Sequence, residues 1–204
     1  MVGFYSLNWV SNPVKLTQNN NVIPHKVNYL IETERLLFRK ITLDDKEVLF
    51  KLHSNLAVQK YTGEPVVESI KEIETAIRER INNYKKYGYG RWATILKDGM
   101  QFVGWAGLAY LPEFDEIDLG YRFLPEYWGS GIATEASHAI LTYGFDTLKL
   151  KKIIAIAMKE HTASIRVMQK VGMEFDKFAP YELGSQDAVW YWCNQKSITQ
   201  NKAY

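Results

Sequence analysis

The sequence predicts a mixed α/β domain of the α+β class, a central mixed sheet with helices on both faces. Three observations predict it. Strand-like and helix-like runs follow in the order strand, two helices, three strands, helix, strand, helix, two strands, an order that lays helices on a sheet. The chain has 204 residues, 47% hydrophobic and 24% charged, which suffices for one compact core and is cramped for two. The run KIIAIAM from Lys152 is apolar without alternation, as a strand covered on both faces must be.

The elements can be justified in order. Residues 1–28 form an N-terminal extension with the polar, turn-prone run TQNNNVIPHK. Its Phe4, Tyr5 and Trp9 are unusual in a purely disordered arm and allow an added strand. From Tyr29 the apolar density of RLLFRKI marks a strand, and Thr42 with Asp45 three residues on resembles an N-cap before Val48, Leu49 and Leu52. Ser69 and Glu72 form a second capping box. On the helix that follows, Ile70, Ile73, Ile77, Ile81 and Tyr84 recur at helical spacing until Gly88.

RWATIL and FVGWAGLAY flank Lys97, Asp98 and Gly99, a hairpin signal, and EIDLGYRFL is a further strand. Ile132, Ala136, Ala139, Ile140 and Tyr143 line one face of the next helix. After KIIAIAM, Ile165, Met168 and Val171 mark a helix closed by Gly172, with Lys170 placed to cap its C-terminus. MEFDKFA and DAVWYWCN are a last strand pair, and residues 196–204 read as a frayed tail. The domain proper is expected over residues 29–195.

Composition excludes several classes. The net charge of +2, from 25 basic and 23 acidic side chains interspersed along the chain, gives no footprint for nucleic acid or an anionic membrane. Cys193 is the only cysteine, so neither an internal disulfide nor a multi-cysteine zinc site is available. His138 has no carboxylate or cysteine at ligand spacing, and His25 and His53 stand alone. No metal is expected. No apolar run approaches the ~18 residues of a membrane helix, and the N-terminus lacks the pattern of a secretory leader. A soluble, cytoplasmic protein is the expectation.

The run PEYWGSGIATEA, Pro125 to Ala136, sets Gly129 and Gly131 between a strand and a helix. It is not a Walker motif, since no Gly-Lys-Ser/Thr follows, and it is not a Rossmann fingerprint, since Thr134 stands where the third glycine belongs. Two readings remain. The glycines either satisfy a tight turn that needs positive φ, or let an anion approach the amide N–H groups of the first helical turn.

YRFLPEYWGSGIATEA resembles the acetyl-CoA-binding motif of the GNAT N-acetyltransferases, Gln/Arg-x-x-Gly-x-Gly/Ala. More narrowly, it is similar to the branch that acetylates ribosomal-protein N-termini, which carries Tyr-Trp-Gly-x-Gly-x-Ala-Thr-Glu-Ala. IETERLLFRKITLDD, FVGWAGL and TASIRVMQKVGMEF resemble other family segments in the same order, so the resemblance covers about residues 29–194. It implies a sheet splayed open beside its fourth strand, with the pantetheine arm of acetyl-CoA in the gap. It also implies cofactor contacts from Phe123, Leu124, Gly129, Ser130, Gly131, Ile132, Ala133, Thr134 and His161. Two positions depart from the family pattern: Glu126 stands where Gln or Arg is usual, and His161 where the last-helix motif has Asn.

The resemblance implies acetyl transfer to a primary amine by direct attack in a ternary complex. The acceptor is a protein N-terminus, or alternatively a small amine such as a polyamine or aminoglycoside. An α-amino group, with pKa ~8 against ~10.4 for lysine, needs only a modest base. The branch comparison points to Asp118 for that base, with Glu116 second because alternation puts both on one face. The acid of many family members is a tyrosine where this chain has Met168, which has no proton to give. Ser164, a serine in the related branch, takes that role. Tyr121 and Trp105 are the candidates for an acceptor groove. A homodimer and a non-catalytic acyl-CoA sensor are the open alternatives on assembly and activity.

Overall fold

The computed structural model describes residues 28–180 and 188–200. Apart from Asn28, the expected N-terminal extension lies outside the described residues, as do residues 201–204.

The elements are β1 (Ile31–Glu32), β2 (Leu36–Arg39), α1 (Lys46–His53), α2 (Leu56–Gln59), α3 (Ile70–Tyr87), β3 (Arg91–Leu96), β4 (Gln101–Leu111), β5 (Glu116–Phe123), α4 (Ile132–Asp146), β6 (Ile153–Met158), α5 (Thr162–Lys170), β7 (Glu174–Ala179), β8 (Ala188–Cys193) and α6 (Gln195–Gln200). One mixed sheet holds all the strands in the order β1-β2-β3-β4-β5-β6-β8-β7. Every neighbouring pair is antiparallel except β5 and β6, which run parallel. Because β1 precedes the strand read first from the sequence, the expected fourth strand is β5.

Local chemistry explains the helix ends. Thr42 and Asp45 make a reciprocal capping box, the Thr42 amide donating to Asp45 Oδ2 at 2.9 Å. Ser69 Oγ accepts from the Glu72 amide to start α3, which ends on Gly88 at φ 80°. Ile73 and Ile77, one turn apart, are 3% and 1% exposed. At ~1.5–3 kcal/mol for each fully buried isoleucine, this face and not helix propensity holds α3 in place.

Strand alternation sends Leu37, Ala93, Ile95 and Trp105 to one face of the sheet, under α1 and α3. It sends Phe38, Trp92, Leu108, Leu119 and Phe123 to the other, under α4, where Val103 joins them because a β-bulge in β4 breaks the alternation there. The expected helices on both faces are therefore present.

Three elements differ from the sequence reading. The two-residue β1 and the single-turn α2 are additional, the latter capped by the Asn55 side chain. Residues 196–200, read as part of a frayed tail, belong to α6. Asn194 Oδ1 accepts from the amides of Lys196 and Ser197, and Ile198 is buried in the core beside α4. Cys193 lies buried in β8, and burial pushes its thiol up to about 12. Among the described residues no helix is long and apolar enough to cross a membrane, and no group of three or more His, Cys, Asp or Glu could hold a metal ion.

Candidate functional site

The glycine turn after β5 presents a row of backbone amides, here called the seat, at the start of α4. Gly129 and Gly131 stand at φ 73° and 83°, a conformation that other residues rarely adopt. Gly131 is the N-cap of α4 and contributes no side-chain cap. The first internal bond of the turn runs from the Glu135 amide to the Gly131 carbonyl. Among the described residues, the N–H groups from Gly129 to Thr134 therefore have no acceptor. Nothing lies within 4 Å of a Cβ built on Gly129. Open space, free amides and the positive end of a four-turn helix together favour an anion of phosphate type.

The seat is braced from the turn between β1 and β2. Arg35 Nε donates to Glu135 Oε2 at 2.6 Å and its Nη1 to the Ser130 carbonyl at 2.9 Å. Thr33 Oγ1 and the Arg35 amide donate to Glu135 Oε1. Ser130 Oγ donates to the Tyr127 carbonyl at 2.6 Å, and the exposed Trp128 ring is pinned by its Nε1 to the Phe123 carbonyl at 2.8 Å. Glu126, the departure from the family pattern, is engaged by Lys51 at 2.8 Å.

Beside the seat the sheet opens. β5 and β6 share the registered pair Asp118–Ile154, and beyond it β5 continues alone to Phe123 on that side. Across the opening, Tyr121 Oη meets Ser164 Oγ at 2.9 Å. Burial pushes the Tyr121 hydroxyl up to about 12. It therefore stays protonated at any working pH and can hold the serine oxygen in place.

The opposite face of β5 carries Asp118, Gly120 and Arg122. Arg91 lies across Gly120 so closely that a Cβ there would come within 1.7 Å of Nη1. Its Nη2 donates to Asp118 Oδ2. Asp118 is 8% exposed. Burial raises its carboxyl above the ordinary value while Arg91 pulls it down, and the balance is upward. Trp105 stands beside them under three guanidinium groups, those of Arg80, Arg91 and Arg122, at 4.7, 5.3 and 5.3 Å from its ring.

His53, at the end of α1, completes this face. Its Nε2 faces the Trp105 indole N–H at 3.2 Å and its Nδ1 faces Arg122 Nη1 at 2.9 Å. Burial, with Arg122 and Arg80 nearby, lowers its pKa to about 3, so the ring is neutral. A neutral imidazole offers one lone pair to these two donors, so one contact is a hydrogen bond and the other a close approach. Arg122 also reaches Glu64 at 3.0 Å.

The structure thus brings Ser164 and Tyr121 together on one side of β5, and Asp118 and Trp105 together on the other. Tyr121, expected in the acceptor groove, stands on the Ser164 side. Phe123 and Leu124 are buried at the strand end that leads into the seat, and Ile132, Ala133 and Thr134 form its first helical turn. His161, at the start of α5, stacks on Tyr61 at 4.6 Å, and its pKa is lowered by burial. Glu116, two residues up the strand from Asp118, is ion-paired with Lys152.

Sequence reasoning missed Arg35, His53, Arg80, Arg91 and Arg122. Arg80 carried a signal: three residues after Ile77 and four before Tyr84, it puts a charge on the buried stripe of α3. Alternation gave a weaker one for Arg91 and Arg122, which share the faces of Ala93 and Asp118.

Comparison with known proteins follows the same lines. The profile of the acetyltransferase (GNAT) domain matches residues 35–174. The uncharacterized N-acetyltransferase YoaA of Bacillus subtilis is 32% identical over 146 residues, 71% of this chain and 82% of its own. The spermidine N(1)-acetyltransferase of Escherichia coli is 28% identical over 142 residues, 68% of this chain and 72% of its own. The crystal structure of a GNAT-family acetyltransferase from Bacillus anthracis superposes with a TM-score of 0.69 at 29% identity, covering 81% of this chain and 98% of that one.

Proposed function

Because the chain belongs to the acetyltransferase (GNAT) family and is an acetyl-CoA-dependent N-acetyltransferase, we propose that it acetylates the α-amino group of a protein or peptide by direct transfer in a ternary complex. Ribosomal-protein N-termini are the acceptors to which the branch resemblance points. The observation that carries the reading is the opening of β5 from β6 immediately beside six amides without acceptors.

Each residue has a role under this reading. Acetyl-CoA supplies a thioester carbonyl as electrophile and a thiol as leaving group. The amides from Gly129 to Thr134 hold the diphosphate, and Arg35 with Glu135 fixes the loop that presents them. The free edge of β5 from Gly120 to Phe123 orients the pantetheine arm. Ser164, held by Tyr121, gives a proton to the departing sulfur. Asp118, held by Arg91, receives a proton from the amine. A partly neutral α-amine of pKa ~8 needs no stronger base than a buried carboxylate. His53 is too weakly basic for that work and positions Arg122.

The spermidine-acetylating relative suggests a polyamine as the competing acceptor. Three guanidinium groups around Trp105 disfavour a polycation on that face. Thiol release from acetyl-CoA, measured over peptides with free and blocked N-termini, lysine peptides and polyamines, tests the assignment. Acceleration by free α-amines supports it; acceleration by polyamines or lysine side chains alone overturns it.

A further inference from the structure

The guanidinium cluster on the face of Asp118 is not electrically closed. Arg91 is matched by Asp118, and Arg122 by Glu64. Among the described residues Arg80 makes no hydrogen bond and no ion pair; its Nη1 is sealed from solvent without an acceptor. Around it are the Trp105 ring at 4.7 Å, two other arginines on the same ring, and Glu64, which acts on it through space but is ion-paired with Arg122. A cation–π contact offsets only part of the cost of half-burying a cation whose nearest carboxylate is already paired elsewhere, and like charges add to it. Burial and the two neighbouring arginines lower the Arg80 pKa to about 10, which leaves it charged at neutral pH.

Arg80 also borders space. With Asn83, Tyr87, Arg91, Ala109 and Tyr110 it lines a cleft of about 40 Å³ between α3 and the end of β4. Ala109 is the registered partner of Asp118, so this cleft lies next to the proposed base. It has room for a carboxylate-sized group, and the Arg80 Nε and Nη2, which carry no hydrogen bond among the described residues and are not sealed as Nη1 is, are the donors a carboxylate would meet.

We propose that the acceptor carries a carboxylate close to its reactive amine and that Arg80 binds it. This rests on the reading above that Asp118 receives the proton of the acceptor amine. The carboxylate is supplied either by an acidic residue at a peptide N-terminus or by the α-carboxylate of a free amino acid. Arg80 is a specificity-determining residue and takes no part in moving protons.

The experiment compares acceptors matched in size and differing in charge: aspartyl-alanine amide against asparaginyl-alanine amide, and alanine against alaninamide. The native enzyme should favour the carboxylate member of one pair at least 10-fold in kcat/KM, and the pair that responds identifies the source. Arg80→Met should bring that ratio near 1 with the KM for acetyl-CoA unchanged, and Arg80→Lys should retain part of the preference. Arg80→Met should also match or exceed the native melting temperature, because it removes a half-buried charge whose nearest carboxylate is paired elsewhere. Equal rates within both pairs, a preference for spermidine, or a ratio that survives in Arg80→Met overturns the proposal. If no amine accelerates thiol release, the acceptor reading itself fails. The subsite is then read from the melting-temperature rise given by succinate, which should be present in the native protein and lost in Arg80→Met; an equal rise in both overturns it.

Discussion

Tyr121 and Ser164 meet oxygen to oxygen at 2.9 Å although one stands on β5 and the other on α5. They bridge the point where the sheet has parted, with the anion seat at the end of the same strand. Ser164→Ala should lower kcat roughly 10- to 100-fold with little change in the KM for acetyl-CoA. Tyr121→Phe, which frees the serine, should cost about 10-fold. Steady-state kinetics on both variants checks this, and values of kcat within twofold of native would remove Ser164 from the role of acid.

The same pair has a signature at high pH. Tyr121 is raised to about 12 by burial, against ~10 in the unfolded chain. The stability linked to its proton is fully present below pH ~10 and is lost as pH rises toward 12, by roughly 2 kcal/mol. Urea denaturation at pH 9 and 11.5 should show native stability falling toward that of Tyr121→Phe.

Gly120 holds the other face open. A methyl group there would meet Arg91 Nη1 at 1.7 Å, so Gly120→Ala must drive the guanidinium away from Asp118. The expected cost is about 1–3 kcal/mol in stability and at least 10-fold in kcat/KM for the amine. Arg91→Ala in the same background should remove the clash without restoring the native melting temperature, because Asp118 is then buried without its partner, and should leave the amine kinetics impaired.

Glu135 predicts acid sensitivity of the seat. Burial alone would raise its carboxyl, yet the Thr33 hydroxyl, the Arg35 amide and the Arg35 guanidinium together hold it below the ordinary range. A depressed carboxylate contributes stability above its unfolded pKa of ~4.3, lost as pH falls through the folded value. Glu135→Gln should therefore be about 1 kcal/mol less stable at pH 7, a modest figure because Arg35 is partly exposed. The gap should close in denaturant titrations below pH 4.

The sequence was most informative where structure is local. Thr42 with Asp45 and Ser69 with Glu72 specify two helix starts by chemistry contained in four residues, and Gly88 specifies an end through its positive φ. The glycine turn was legible for the same reason, since Gly129 and Gly131 belong to one turn. What escaped depends on partners distant in the chain. Arg35 and Glu135 are 100 residues apart, and neither is distinctive until the turn between β1 and β2 lies beside α4. The α6 helix combines the Asn194 cap with the buried Ile198, an apolar residue with no period around it in the sequence. The contact of Tyr121 with Ser164 escaped as well, since it joins β5 to a helix 43 residues further on.

The central claim is that the amides from Gly129 to Thr134 grip the diphosphate of acetyl-CoA while the open edge of β5 takes its arm. Backbone amide NMR of the protein titrated with CoA tests it most directly, with Gly131→Val as the control. The account predicts the largest shifts at Gly129 to Thr134 and at Gly120 to Phe123, and an affinity at least 10-fold weaker in Gly131→Val. CoA binding of native strength in that variant, or saturation that leaves both sets of amides unmoved, would contradict it.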